Sequence, residues 1–316
     1  METVAGLQDV RVSFGHAVSE CLAAEPGPDL RLSSPLLGGG PYDFLLSGVE
    51  DAEVFEHEHF RILRGGGMMA GVSLLPVGES VEPAAYRTYR ALLSCLGGWS
   101  LYRVWSFVPR INAEGPDGLE SYRAFNVGRW RAFQELYGEA GLESHLPAAS
   151  AVGIDENCLS VAFIAGEAPV GYFENPRQVP AYRYPAEYGP KSPSFARGAV
   201  VDRDGRRTGY LSGTSSIRGH ETVGEGDLDT QFDVTIENIR TVLEPMGFDG
   251  ALEPGAPVDA QFRVYVRDPA DYPRVRDRFA EVVGPDAAAR SLFLKADICR
   301  EPLKLEIEGI FVSDAI

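Results

Sequence analysis

A carboxyl group can work as a general acid when a rigid element holds it and aims it into a cleft. The C-terminal run Leu303-Lys304-Leu305-Glu306-Ile307-Glu308-Gly309-Ile310 carries two such groups. Leu303, Leu305 and Ile307 alternate with Lys304, Glu306 and Glu308, the period of a strand with one buried face. Glu306 and Glu308 therefore share the face opposite the leucines. On alternation alone, a solvated strand face is the simpler account of both. A second segment has to meet this strand. Ser212-Gly213-Thr214 closes a strand-like run from 207 and precedes an amphipathic helix that ends in Glu237-Asn238-Ile239.

Other reactive residue types are less organised. His57-Glu58-His59 is a short lone cluster, for which a loop or strand edge is a simpler reading than a metal site. Gly65-Gly66-Gly67 lacks the Lys-Ser/Thr that completes a phosphate loop, so a strand-end turn is expected. Cys21, Cys95, Cys158 and Cys299 are far apart, without the C-x-x-C spacing of zinc or redox motifs. No metal and no cofactor is expected. His220-Glu221, beside the Ser-Gly-Thr segment, either orients a pocket group or is a turn.

The elements that would position these residues occur in two copies. The first copy reads strand 60–64, the glycine triplet, helix 83–96, strand 101–109, helix 119–137 and strands 150–154 and 159–165. The second reads strand 207–211, Ser-Gly-Thr, helix 228–243, strand 261–267, helix 271–283 and strands 292–298 and 303–312. Phe232, Ile236, Ile239 and Leu243 fall on one helix face, as do Tyr272, Val275, Phe279 and Val282. Asp268-Pro269 is a helix start signal. Phe262, Val264 and Val266 alternate with Gln261, Arg263 and Tyr265. The expected fold is α+β: duplicated units, mixed sheets, helices on one face. Overlaying Leu303–Glu306 on Leu159–Ala162 puts Ala162 where the second copy has Glu306, which predicts one acid and one site per chain, near the junction of the copies. Residues 1–50, with a loop-like Leu37-Gly38-Gly39-Gly40-Pro41, suggest no function. The connector 171–197 is too rich in Tyr, Pro and Arg for a flexible linker and reads as an ordered loop over a pocket.

The chain has 316 residues, 44% of them hydrophobic and 24% charged, as in globular proteins with a substantial core. A net charge of −17 argues against a nucleic-acid partner. No apolar run approaches the roughly 20 residues that span a bilayer, and no secretory signal is visible. A cytoplasmic protein with reduced thiols is expected.

The order Ser-Gly-Thr, helix, strand, Asp-Pro, helix, strand, Glu-Ile-Glu-Gly-Ile, from about Tyr210 to Val312, resembles the YjgF/RidA (chorismate-mutase-like) fold. WSFVPRIN (105–112), FNVGR (125–129), ENPRQVPAYRYPAEYGPKSPSFAR (174–197) and SGTSSIRGHET (212–222) narrow this. With them the chain resembles the chorismatase family, which consumes chorismate and releases pyruvate. The resemblance implies an N-terminal degenerate YjgF-like domain with a leader (1–170), then the connector and a C-terminal catalytic unit (171–316). It also implies that Glu306 protonates the enolpyruvyl methylene, with Glu308 as fallback. The substrate's two carboxylates would suit forked arginines, with Arg129, Arg197 and Lys191 as candidates and Tyr122, Tyr184, Asn126 and Thr214 as neutral donors. Cys299 resembles the subclass that forms 3-hydroxybenzoate, and Ser212 stands at the other product-determining position, although it matches neither of the small apolar residues associated with the two types. The alternatives are a hydrolytic chorismatase giving a dihydroxycyclohexadiene carboxylate, a RidA-like imine/enamine deaminase, or a non-catalytic metabolite-binding protein. Monomer and homotrimer are both compatible with this reading.

Overall fold

The computed structural model describes residues 8–24, 27–116 and 118–315. Two mixed sheets face each other. The first has the strand order Ala148–Ile154, Ser100–Pro109, Cys158–Gly166, Met68–Pro76, Phe60–Gly65, Glu53–His57. The second runs Val170–Phe173, Gly198–Arg203, Arg206–Thr214, Leu305–Asp314, Asp259–Val266, Leu292–Lys295, Leu36–Gly38. Helices α1 (Val81–Cys95) and α2 (Ser121–Gly141) cover the outer face of the first sheet. Helices α3 (Leu228–Leu243) and α4 (Tyr272–Val283) cover the outer face of the second. Each helix pair buries an apolar stripe on its sheet. In α3 this stripe includes Phe232, Ile236, Ile239 and Leu243, and the helix begins where Asp227 accepts from the backbone N–H groups of Asp229 and Thr230.

The two sheets repeat one topology. In each, a hairpin leads into a helix, a strand, a second helix, a parallel neighbour and a final antiparallel strand inserted between earlier ones. Each hairpin turns through two residues at positive φ: Gly66 (54°) and Gly67 (69°) in one, Asp204 (51°) and Gly205 (73°) in the other. This corrects two expectations. The glycine triplet does not lead straight to a helix, because it turns the chain into the strand Met68–Pro76. The second unit begins at Gly198 rather than 207. Both strands lie buried on two faces, so they lack the alternation that marks a half-exposed strand.

Leu37 and Gly38, expected in the loop 37–41, instead belong to the edge strand Leu36–Gly38, which pairs with Leu292–Lys295. Strands Glu20–Ala24, Gly27–Arg31, Gln8–Ser13 and Tyr42–Val49 make a third, four-stranded sheet whose Val10, Val12, Leu30 and Leu45 join the core between the two large sheets. Among the described residues, no helix is long and apolar enough to cross a membrane.

The inter-sheet core also holds charge. Glu308, 3% exposed, pairs with Arg103 of the first sheet at 2.6 Å and with Arg263 of its own sheet at 3.3 Å. Trp105 Nε1 donates to it at 2.7 Å and Tyr265 Oη at 3.2 Å. Removing one member of such a cluster leaves an uncompensated buried charge. Glu308→Gln is therefore expected to lower stability by about 3–5 kcal/mol, read by chemical denaturation. A change under about 1 kcal/mol, the scale of a surface pair, would show that the cluster does not hold the sheets together.

Candidate active site

Glu306 lies on the strand Leu305–Asp314, opposite Tyr265 in the ladder. Leu305, Ile307 and Phe311 pack toward α3 and α4, so Glu306 and Glu308 point at the other sheet. Neither faces bulk water: Glu306 is 4% exposed. Burial first, then the neighbouring Glu308 charge, push its carboxyl up to about 8, against the opposing pull of Arg103. Its Oε1 is buried with no partner among the described residues, and Oε2 accepts from Ser215 Oγ at 3.4 Å. A Cβ on Gly213 would overlap Oε1 and stand 2.9 Å from Ser150 Oγ. The middle residue of Ser-Gly-Thr is thus glycine because the acid occupies the space of a side chain.

Glu306 opens into a cavity of about 570 Å³ between the two units. Helix α2 lines one side. Tyr122 and Arg129, with Asn126 between them, recur at helical spacing on one face. Arg129 Nη2 donates to Asn126 Oδ1 at 2.7 Å, and its Nε has no partner among the described residues. The connector supplies Tyr184 and Arg197, joined by a 2.7 Å bond from Arg197 Nη2 to Tyr184 Oη, and Arg197 Nε is likewise unpartnered. It is ordered by two short 3₁₀ turns, Ala181–Arg183 and Ala186–Tyr188. Cys299 lines the cavity with its thiol pushed up to about 12 by burial, so it is neutral and not a nucleophile.

Four expected residues stand elsewhere. Lys191 places its ammonium 3.5 Å from the centroid of the Trp130 ring and is not part of the cavity wall. Its neighbours Tyr184 and Arg197 in the connector line the cavity, whereas Lys191 itself rests on Trp130 of α2. Asn126 acts on Arg129 rather than lining the wall. Thr214 Oγ1 is used up on Ser212 O at 2.9 Å. Ser212 Oγ donates to Ala196 O at 2.6 Å and accepts from Ala149 N at 2.8 Å, which ties the connector and the first sheet to the second.

Sequence reasoning missed Arg300, whose guanidinium lies 4.2 Å from the Tyr188 ring centroid while Nη1 donates to His220 O at 2.7 Å. Its buried Nη2 has no partner among the described residues and it lines the cavity. The signal available was its place directly after Cys299, in the loop before the acid strand. Ser150 and Ser215 were also missed, because single serines in buried strands carry no pattern. His57, outside this region, bonds Ser94 Oγ at 2.8 Å. The arrangement can hold an anion with more than one carboxylate on arginine donors and present a neutral acid to it.

A family model described as chorismatase FkbO/Hyg5-like, N-terminal, matches residues 45–165. The chain is 37% identical over 246 residues to the 3-hydroxybenzoate synthase of Streptomyces hygroscopicus, spanning 74% of this chain and 71% of that protein. It is 35% identical over 264 residues to a chorismatase of Streptomyces rapamycinicus, spanning 80% and 77%. A chorismatase crystal structure superposes with a TM-score of 0.85 at 27% identity, covering 96% of this chain and 92% of that one.

A carboxyl that ionises near pH 8 when folded and near 4.3 when unfolded binds more protons in the native state between those values. Its contribution to stability is complete below the unfolded value and is lost as pH rises toward 8. Glu306→Gln escapes this loss. Its melting temperature should exceed that of the parent by a margin that widens between pH 5 and pH 8. An equal margin at both pH values in scanning calorimetry would mean that the carboxyl is not held neutral.

Proposed function

The chain belongs to the chorismatase family and is an enzyme of chorismatase type, and we propose that it converts chorismate to pyruvate and 3-hydroxybenzoate. One observation carries this reading: a buried, neutral Glu306 with a bare Oε1 shares a cavity with arginine donor atoms that have no partner among the described residues. Chorismate brings a ring carboxylate and an enolpyruvyl carboxylate. Arg129 Nε, Arg197 Nε and Arg300 Nη2 can receive them without breaking an existing bond.

Glu306 then gives its proton to the enolpyruvyl methylene carbon, and the electrons of the double bond form the new C–H bond. The ether carbon becomes an oxocarbenium ion. The carboxylate left on Glu306 faces that positive charge and stabilises it in a site from which water is largely excluded. The ring hydroxyl gives its proton to the Glu306 carboxylate and attacks the adjacent ring carbon that bears the ether oxygen. That C–O bond breaks, and its electrons complete the keto group of pyruvate. Opening of the resulting epoxide with loss of the ring C–H proton gives 3-hydroxybenzoate. The atoms of the two products are those of chorismate, so no net water is used. The neutral Cys299 thiol beside the cavity supports this outcome, as does the identity to the 3-hydroxybenzoate synthase.

Several further points belong to the same reading. The acid sits in a catalytic unit over 171–316, while the first unit (1–170) has lost its acid and contributes Tyr122 and Arg129. The face that carries Glu306 in the second sheet carries Ala162 and Ile164 in the first. Both units come from one chain, so the site is complete in a monomer, and a homotrimer would bring together three such sites. A cytoplasmic location suits the four free cysteines.

The test is incubation with chorismate in water enriched in oxygen-18, with products read by mass spectrometry. The expected result is pyruvate and unlabelled 3-hydroxybenzoate. Glu306→Gln should lower kcat/KM by about 10²–10⁴, the usual contribution of a positioned acid. Because the protonated form is the active one, parent activity should fall about tenfold per pH unit above roughly 8. A dihydroxycyclohexadiene carboxylate in place of 3-hydroxybenzoate, itself unlabelled because water adds to the ether carbon that leaves as pyruvate, would replace the 3-hydroxybenzoate assignment by the hydrolytic one. Absence of pyruvate would remove both.

A further inference from the structure

The charge beneath the catalytic acid is balanced by a residue from the N-terminal sheet, a part of the chain whose sequence suggested no role. Glu308 is held by Arg103 and Arg263. Both guanidiniums lie over the Trp105 ring, with 4.7 Å from each to its centroid. On its far side Arg263 is ion-paired to Asp43, on the strand Tyr42–Val49. The side chains of Arg103, Arg263 and Glu308 are 1%, 5% and 3% exposed, and that of Asp43 17%. Two carboxylates thus meet two guanidiniums in a site nearly closed to solvent.

This cluster reaches the active site through one hydroxyl. Ser150 Oγ contacts Glu308 Oε2, accepts from Arg103 Nη2 at 2.5 Å and accepts from Gly213 N–H at 2.8 Å. Gly213 is the residue against which Glu306 Oε1 rests, and both Ser150 and Gly213 line the cavity. The groups facing Glu306 are Glu308 on its own strand, Tyr265 on the neighbouring strand, Arg103 on the facing sheet, Tyr122 and Arg129 on α2, Arg197 on the connector, and Cys299 and Arg300 on the preceding loop.

We propose that the four-membered cluster Asp43–Arg263–Glu308–Arg103 is a charge-balancing and positioning device for Glu306, and that Asp43 completes it without touching the substrate. With Asp43 ionised, the cluster is neutral and Glu308 remains an effective negative neighbour of the acid. Without it, a buried guanidinium charge is left over. That positive charge favours the ionised form of Glu306 and reduces the supply of its proton. The proposal rests on Glu306 being the acid, and its test separates the two claims. Asp43 is the residue to alter, because substitution of Glu308 threatens the fold itself.

Asp43→Asn keeps the size and a hydrogen bond to Arg263 while leaving the cluster with one surplus positive charge. The pH dependence of kcat/KM for chorismate should keep its shape near pH 6, while its basic limb moves down by on the order of one pH unit. The carbon-13 carboxyl resonance of Glu306, assigned by its loss in Glu306→Gln, should titrate with a midpoint lowered by the same amount. Asp43→Glu should restore both. A merely structural role would lower yield and melting temperature without moving either midpoint. Should Asp43→Asn fail to fold, the double variant Asp43→Asn with Arg263→Gln removes one charge of each sign, and its limb should match the parent. Parent-like titration in Asp43→Asn, or a lowered limb in the double variant, would overturn the proposal while leaving Glu306 as the acid. Undiminished turnover by Glu306→Gln would instead remove the acid role on which it rests.

Discussion

Two sheets close face to face over the strand Leu305–Asp314 and exclude water from both of its sides. The chemistry of the cavity depends on this exclusion. A carboxyl on a strand with one wet face ionises near its ordinary value and cannot donate a proton at neutral pH. The same carboxyl between two sheets is pushed up to about 8 and keeps its proton. Glu308, two residues on, is equally buried and is ion-paired to Arg103 and Arg263. Identical residue types on one face of one strand thus have separate surroundings, one beside a cavity and the other among the arginines of the core.

The duplicated architecture explains why the site lies where it does. Each unit covers one face of its sheet with its own helices and leaves the other face apolar. Pairing the two open faces buries both, with Trp105, Phe107, Tyr210 and their neighbours in the middle. The two units need not be equal once joined. The first unit contributes a helix that carries Tyr122 and Arg129 and the strand with Ser150. The second contributes the acid strand and the loop with Cys299 and Arg300. The connector joins them in sequence and closes the cavity in space with Tyr184 and Arg197.

The negative net charge of the chain and the arginine donors in the cavity are compatible because the range of electrostatics differs between the two. Surface carboxylates are screened over about 8–10 Å of salt solution. The arginines of the cavity act across bonds of about 3 Å in a poorly solvated space. The guanidinium of Arg129 lies over the Phe125 ring at 4.8 Å and that of Arg300 over the Tyr188 ring at 4.2 Å, contacts that restrict both side chains.

The sequence by itself determined the α+β order, the apolar faces of α3 and α4, the position of the acid on a strand and the helical spacing of Tyr122 and Arg129. These are local properties, written in periods of two and of three to four residues, and a single chain displays them. It could not show that the face bearing Glu306 is dry, because the covering residues lie some two hundred positions earlier. For the same reason it placed Lys191 and Thr214 among the substrate ligands: each has a suitable side chain at a suitable place in sequence, but one rests on Trp130 and the other bonds its own backbone. Arg300, Ser150 and Asp43 have no periodic signal at all. What they do depends on which groups stand opposite them, and only the packing of one unit on the other decides that.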